Sequence, residues 1–423
     1  MTWQGAWLLV VVPKRRADVR YKMPNAVSSD RGSGTHDCPV AAICDRQISP
    51  ILCAICAFLT CLLSLSSAAA EDSDEESNKL EVNPSGEPPA GDAPLDFAFY
   101  PVGGWTPVTG FALGGVSSFK FDLPGEAGHQ SSVNLAGVYT QKDQLAAQLS
   151  WELAFDRERW IFHGKAKGKI WPDDYYGVGI DAATEGEEID SAYLKSTTGV
   201  QYRLFDTPNL YVGLLHELQA FDIDAPYDGD LMAEAPPGYA GGRASGAGLQ
   251  LLIDERDSED APRRGYYAET RLLRFDSLLG SNFEFWHFEL DGRRYFDLGK
   301  DHSIGLRGLF KIQSGEAPFF AMPTLGGSKR NRGITKGRFL HETLLSGQAE
   351  YRSPIFWRIS FSTFAGLGTV APGFHKLESL EPKWNAGAGL RVYVDEERES
   401  SIRLDVGFSE DHVGVYFSTG EAF

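Results

Sequence analysis

From residue 96 onward, hydrophobic and polar positions alternate with a period of two, which is the period of a β-strand and not of a helix. In the segment 400–408, Ile402 and Leu404 lie on one parity, whereas Arg403 and Asp405 lie on the other. Each such strand therefore has one apolar face and one polar face. A soluble sheet with one buried face shows the same alternation, so other features must decide between the two classes.

Three features favour a transmembrane barrel. The predicted strands are about 10–14 residues long, whereas strands of soluble proteins are typically about 5–6 residues long. Short turns join each strand to the next, which is typical of an up-and-down meander. Aromatic residues cluster near the strand ends, as in the interfacial girdles of barrels. These residues are Trp151, Trp160, Trp171, Tyr175, Tyr176, Trp357 and Trp384.

Sixteen strands are predicted, an even number as in bacterial single-chain barrels. They lie at 96–102, 109–122, 130–140, 145–155, 159–170, 190–204, 209–222, 243–254, 265–276, 283–296, 302–314, 343–353, 356–369, 384–394, 400–408 and 412–418. The sequence therefore predicts an all-β fold, a 16-stranded antiparallel transmembrane β-barrel.

The region before the barrel has two parts. Residues 51–65 form an apolar run that follows Arg46 and ends in small residues, which is the layout of a secretory signal with cleavage predicted after Ala70. A membrane anchor is the alternative, although the run is short for one. Residues 71–95 are acidic and rich in proline and glycine, and such a composition cannot form a packed core. The predicted organisation is an N-terminal extension and signal peptide at 1–70, a disordered acidic linker at 71–95 and a barrel at 96–423.

Composition excludes several classes of function. All five cysteines precede residue 62, and a cysteine-free body suits a protein that crosses an oxidising compartment before it folds. The body offers no zinc site of known spacing, and neither a metal nor a cofactor is predicted. The net charge of −18 argues against nucleic acid as a partner. No Gly-x-Ser-x-Gly elbow occurs, so a barrel enzyme such as a lipase is not expected.

The longest predicted connection, 315–342, joins the eleventh and twelfth strands and spans about 28 residues, a length that usually marks a functional or a disordered loop. It carries five basic residues in an acidic protein: Lys329, Arg330, Arg332, Lys336 and Arg338. Inward-facing carboxylates could hold such a loop inside the lumen. The alternative is an extracellular loop whose charges are solvated.

Several segments resemble the BamA/TamA superfamily, the bacterial surface antigen family. LGGSKRNRGITKGRF at 325–339 looks like the long sixth loop of that family, with its Arg-Gly-aromatic triplet. GQAEYRSPIF, FAGLGTV and GVYFSTGEAF resemble the strands that follow, and PVGGWTPVTGFALGG resembles the first hairpin. The resemblance implies a loop folded into the lumen, with its motif at Gly326, Gly327, Arg332, Gly333, Ile334, Gly337 and Arg338.

The chain departs from the family pattern in three places. Ile334 replaces the aromatic residue of the triplet, and Gly366 stands where the family often has an acidic partner for the loop arginine. A buried arginine without a partner costs several kcal/mol, so the candidate partners of Arg332 are Glu350, Asp405 and Asp291. The client-receiving POTRA repeats that normally precede such barrels are replaced by the short acidic linker.

The resemblance implies insertion or export of polypeptides without covalent chemistry. The seam between the first and last strands is expected to be weak, because Pro101, Gly103 and Gly104 interrupt the first strand. Phe417 and Phe423 share one parity in the last strand and are expected to face lipid. The implied partners are outer-membrane lipids, unfolded outer-membrane or secreted polypeptides, and periplasmic proteins; the implied location is the outer membrane of a Gram-negative-type bacterium. The alternative is a passive pore or structural barrel without client activity.

Overall fold

The chain is described by a computed structural model. It covers residues 8–10, 96–106, 110–123, 130–206, 209–224, 235–259, 261–379, 382–393, 401–410 and 412–423. The predicted export signal and the predicted acidic linker lie outside these described residues, and both stay predictions.

Sixteen long antiparallel strands make up the body of the described chain, each paired with the next in sequence. They are β1 (Asp96–Thr106), β2 (Gly110–Asp122), β3 (Gln130–Thr140), β4 (Leu145–Phe155), β5 (Trp160–Tyr175), β6 (Glu187–Asp206), β7 (Asn209–Asp224), β8 (Gly241–Asp254), β9 (Gly265–Phe275), β10 (Phe285–Gly299), β11 (His302–Gly315), β12 (Thr343–Arg352), β13 (Ile359–Ala371), β14 (Lys383–Tyr393), β15 (Ser401–Ser409) and β16 (Val413–Thr419). The predicted fold and strand count are confirmed.

Smaller elements complete the described chain. A strand at Leu8–Val10 lies far upstream, and the connection between β11 and β12 contains two short paired strands, Thr324–Leu325 and Phe339–Leu340. Short 3-10 helices occur at Ser277–Leu279, Phe319–Ala321 and Phe374–Ser379. Within the described ranges, no helix is long and apolar enough to cross a membrane.

The two faces of the sheet differ in polarity, as the alternation predicts. In β15, Arg403 and Asp405 are fully buried on the inner face, whereas Leu404 and Phe408 are exposed on the outer face. In β16, Val413, Val415 and Phe417 are likewise exposed. An apolar outer face and a polar inner face are what a barrel surrounded by lipid requires.

The sheet is not closed between its first and last strands in the described residues. One edge of β16 pairs with β15, and its other edge pairs with the three residues of Leu8–Val10. β1 is registered with β2 alone, and this ladder includes Pro101, Gly103 and Gly104. Because Leu8–Val10 precedes the predicted cleavage site, a processed protein would not carry this added strand.

The prediction that Phe423 faces lipid is wrong. β16 ends at Thr419, and Gly420 adopts a left-handed φ of +67°, which turns the chain away from the sheet. Phe423 is 5% exposed and packs on the inner face against Tyr295. Strand parity ceases to specify a face once the strand has ended, so the alternation could not be extended to this residue.

We predict that a charge on the outer face will destabilise the barrel. Leu404→Arg should cost about 2–4 kcal/mol, because lipid near the bilayer midplane cannot solvate a guanidinium. The measurement is urea-induced unfolding in lipid vesicles, followed by tryptophan fluorescence. The control is Leu278→Arg in the Ser277–Leu279 turn, where the side chain is 94% exposed outside the strands. Equal losses of stability in the two variants would contradict the assignment of faces.

Candidate functional site: the lumen loop

The connection 316–342, here called the lumen loop, folds back against the inner face of the sheet. Leu325, Ile334 and Phe339 of the loop are buried in one apolar cluster with wall residues of β11, β12 and β13. Phe319 of the loop lies in a second cluster with side chains of β5, β6 and β7. Since these clusters lie on different strands of the sheet, the loop is anchored at more than one point of the wall.

The tip of the loop approaches the wall so closely that side chains are excluded. Gly333 has a φ of +108°, and a Cβ added to it would lie 2.7 Å from the Phe408 main-chain nitrogen. On the wall, a Cβ added to Gly407 would lie 2.5 Å from the main-chain carbon of Arg332. The Gly333 N–H donates to the Tyr416 hydroxyl at 2.9 Å. Glycine is therefore required on both sides of this contact.

Asn331 fixes the turn that presents the tip. It adopts a left-handed φ of +43°, which asparagine tolerates better than most residues. Its main-chain N–H donates to Gln348 Oε1 at 2.9 Å, and its Nδ2 donates to Asn385 Oδ1 at 3.0 Å. Asn385 Nδ2 in turn donates to the Arg332 main-chain oxygen at 3.0 Å. None of these three amide residues was predicted, although the inward parity of Gln348 on β12 and of Asn385 on β14 is readable from the sequence.

Arg332 lies at the centre of the site and is fully buried. Its Nη1 donates to Asp405 Oδ2 at 2.6 Å, and its Nη2 hydrogen-bonds to Glu350. The guanidinium carbon lies 3.5 Å from the centroid of the Phe364 ring. Two charge-assisted hydrogen bonds and a cation–π contact thus compensate the lost hydration of one cation.

The two carboxylates that hold Arg332 also hold other arginines. Arg391 Nη1 donates to Asp405 Oδ1 at 2.6 Å, and its Nη2 lies 3.4 Å from Glu350 Oε1. Arg352 Nε donates to Glu350 Oε1 at 2.9 Å. Arg403 Nε lies 3.3 Å from Asp405 Oδ2, and its Nη2 donates to the Ser328 main-chain oxygen at 3.2 Å. We call Arg332, Arg352, Arg391 and Arg403, with Glu350, Asp405 and Glu421, the arginine network.

Asp291 does not contact Arg332, so that candidate partner is wrong. Its Oδ2 accepts hydrogen bonds from Arg293 Nη2 at 2.8 Å and from Arg307 Nη2 at 2.7 Å. Arg293 and Arg307 face each other across the β10–β11 ladder, and Asp291 is two residues from Arg293 on the same face. Local ladder neighbours therefore neutralise Asp291, whereas Glu350 and Asp405 extend toward the loop from β12 and β15.

The site also explains Gly366, where the family often has an acidic residue. A Cβ at this position would lie 2.7 Å from Asn385 Oδ1 and 3.0 Å from Asn331 Nδ2. The space is thus taken by the Asn331–Asn385 amide pair. Negative charge reaches Arg332 instead from Glu350 and Asp405 on other strands.

The remaining motif residues shape the loop rather than its tip. Ile334 is 2% exposed inside the apolar cluster, where a branched aliphatic side chain fills the place of an aromatic one. Gly326, Gly327 and Gly337 have φ values of +92°, +115° and +86°, which most other residues adopt only with strain. The Arg338 guanidinium lies 4.9 Å from the centroid of the Phe339 ring.

A family model described as the Omp85 superfamily domain matches residues 127–423. The chain belongs to the Omp85 superfamily. Barrels of this superfamily lie in the outer membrane and serve protein insertion or secretion without covalent catalysis. Among curated protein sequences, none matches this Omp85 chain.

Two solved structures show the same fold as this Omp85 barrel. One is BamA from Haemophilus ducreyi lacking POTRA domains 1–3, with 12% identity and a TM-score of 0.52 over 77% of this chain and 69% of that chain. The other is CdiB from Escherichia coli, with 14% identity and a TM-score of 0.52 over 77% of this chain and 62% of that chain. The chain therefore spans less than two thirds of CdiB.

In the described part of the chain, no group of three or more metal-ligating side chains occurs.

We predict that removing the charge of Arg332 will destabilise the barrel. Arg332→Met should cost about 3–5 kcal/mol, because two buried charge-assisted hydrogen bonds, to Glu350 and Asp405, and the contact with the Phe364 ring would be lost. The measurement is the temperature at which the folded band disappears on unheated gels, together with urea unfolding. The control is Arg264→Met in the turn after β8, where the side chain is 74% exposed. A loss no larger than that of the control would contradict the central role of Arg332.

We predict that a single methyl group on the wall will displace the loop tip. Gly407→Ala would place a Cβ 2.5 Å from the Arg332 main chain, so the tip must move. The matched control is Gly347→Ala, whose Cβ would meet no atom within 4 Å. Limited trypsin digestion should cleave the lumen loop faster in Gly407→Ala than in Gly347→Ala. Identical digestion rates would show that the tip does not rest on the wall at this glycine.

Proposed function

We propose that this chain inserts or exports polypeptides across the outer membrane, through a lumen that the loop closes at rest. The observation that carries the proposal is the seating of Arg332, which is held by two carboxylates and an aromatic ring at the inner wall. A passive channel needs no such anchor, because a fixed constriction can be built from wall side chains alone. A loop held by a few polar contacts can be released as a unit.

The seam between β1 and β16 supports the same proposal. Pro101 cannot donate a ladder hydrogen bond, and Gly103 and Gly104 weaken the strand that contains them. No residue of β1 is registered with β16 in the described ranges, and the free edge of β16 accepts the added strand Leu8–Val10. An edge that accepts one strand can template a client strand by β-augmentation.

The proposal includes the route and the partners. The chain is exported by a signal within residues 1–70, and residues 71–95 link that signal to the barrel. The barrel lies in the outer membrane of a Gram-negative-type bacterium. Its clients are unfolded outer-membrane or secreted polypeptides, and periplasmic proteins supply the receiving domains that POTRA repeats supply elsewhere in the family.

A reversible lock on the lumen loop tests the proposal. A Cβ on Gly368 would lie 2.3 Å from Leu325 Cδ1, so the two positions are in side-chain contact. Cysteines are placed at both positions, and a gel-shift assay with a thiol reagent verifies that oxidation joins them before any activity is measured. The native cysteines all precede residue 62 and are replaced by serine, so that oxidation yields this bond alone. The variant is reconstituted in liposomes and supplied with a urea-unfolded eight-stranded outer-membrane protein as the probe.

We expect the reduced protein to accelerate folding of the probe into the liposomes severalfold, and the oxidised protein to lose this effect until reductant is added. The single variant Leu325→Cys is the control for the substitution itself. Ion conductance is measured in the same liposomes. Steady conductance in both redox states without any acceleration of folding would refute client insertion and support the passive pore.

A further inference from the structure

The last four residues, 420–423, here called the tail, leave the sheet and enter the lumen. Gly420 N–H donates to the Ser401 main-chain oxygen at 2.8 Å, which fixes the turn after β16. Beyond this turn, Glu421, Ala422 and Phe423 are all buried. The tail is thus packed against the inner face of the sheet and is not merely a frayed end of the strand.

The tail occupies a subsite whose residues contact the Phe423 ring, the Phe423 main-chain oxygen and the Glu421 carboxylate. The Phe423 ring lies 6.5 Å from the Tyr295 ring, centroid to centroid. A Cβ on Gly305 would lie 3.2 Å from Phe423 Cε2, so a side chain at that position would require the ring to shift. Arg352 Nη2 donates to the Phe423 main-chain oxygen at 2.7 Å. Arg391 Nε donates to Glu421 Oε2 at 3.1 Å, and Arg352 Nε lies 3.6 Å from the same oxygen.

The two arginines that bind the tail also bind the partner of the loop anchor. Arg391 and Arg352 both contact Glu350, and Glu350 contacts Arg332. Asp405 likewise contacts both Arg332 and Arg391. Two buried carboxylates, Glu350 and Asp405, therefore stand between the lumen loop and the tail. Arg352 is itself held in place, because its Nη1 donates to the Pro262 main-chain oxygen at 2.7 Å.

The balance of buried charges predicts how loss of Glu421 would affect the loop anchor Arg332. In the described residues the arginine network contains four guanidiniums and three carboxylates, all buried. Loss of the Glu421 charge would remove one of the negative charges that these four cations share, in a site where solvent and salt screen repulsion poorly. Arg352 and Arg391 would then compete with Arg332 for Glu350 and Asp405, and the loop anchor would weaken.

We propose that this part of the lumen is a receptor for an acidic-small-aromatic peptide segment, occupied by the chain's own Glu421, Ala422 and Phe423, and that its occupancy keeps the lumen loop seated. The inference rests on the proposed function for its use, since a seated loop is the closed state. Its tests follow the positions of loop and tail without any client, so the two proposals can fail separately.

The first test uses a buried reporter in the loop. Ser328 is 1% exposed and its hydroxyl has no hydrogen-bond partner, so Ser328→Cys is close to isosteric. In the full chain with the native cysteines replaced by serine, a water-soluble methanethiosulfonate should modify this thiol about tenfold faster when Glu421→Gln is added, as expected for residues coupled through one network. Glu410→Gln, a 60% exposed carboxylate in the turn before β16, should leave the rate unchanged.

The second test reads the coupling in the opposite direction. Ala422→Cys reports the tail, which is 2% exposed at this position. Because a coupling free energy is reciprocal, Arg332→Gln should accelerate modification of this thiol by about the same factor by which Glu421→Gln accelerates modification at Ser328→Cys. If Glu421→Gln frees the tail reporter while the loop reporter stays protected, or if it frees neither, the proposed coupling is overturned.

The third test supplies the tail as a separate ligand. A variant that ends at Thr419 and carries Ser328→Cys should react fast, and the peptide Gly-Glu-Ala-Phe should restore protection, whereas Gly-Gln-Ala-Phe should restore far less. Equal effects of the two peptides, or no effect of either, would overturn the receptor. If the shortened chain does not assemble, Glu421→Gln in the full chain is titrated with the same peptides, with the same outcomes for and against.

Discussion

The structure depends on the neutralisation of buried guanidiniums inside the barrel. Arg332 brings a charge from the lumen loop to an inner wall that water does not reach, and this is tolerable only because Glu350 and Asp405 meet it there. The same two carboxylates hold Arg391, and Arg352 and Arg403 join them. Burying one partner alone would be strongly unfavourable, so loop, wall and tail adopt their positions together.

Electrostatics alone would not determine where the loop tip sits. Close backbone approach does so, because Gly333 and Gly407 leave no room for a Cβ between the tip and β15. The amides of Asn331 and Asn385 then fill the space above Gly366 that an acidic side chain would need. The departure from the family pattern at Gly366 is therefore matched by a second difference: Glu350 on β12 and Asp405 on β15 supply the negative charge that contacts Arg332.

The two ends of the sheet behave differently from its interior. Strands β2–β15 are paired on both edges, whereas β1 and β16 share no register in the described ranges. The tail, which follows β16 directly, is bound by Arg352 and Arg391, and both of these arginines also contact Glu350, a partner of the loop anchor Arg332. The strand at the seam is thus covalently continuous with a segment that contacts the arginine network, which gives the seam and the loop a physical connection.

The period-two alternation, the turn residues and the long basic connection determined the sixteen strands, the two faces and the presence of a loop that carries Arg332. These features are local in sequence. The alternation of polar and apolar side chains along a strand is enough to identify its inner face. The partner of Arg332 was narrowed to three carboxylates, but Asp291 proved to serve Arg293 and Arg307 because ladder neighbours on β10 and β11 reach it first. Only the tertiary structure decided which inward-facing charges meet, because that depends on distances between strands that are remote in sequence. Only the tertiary structure likewise decided that Phe423 turns into the lumen, because that depends on a single left-handed turn at Gly420.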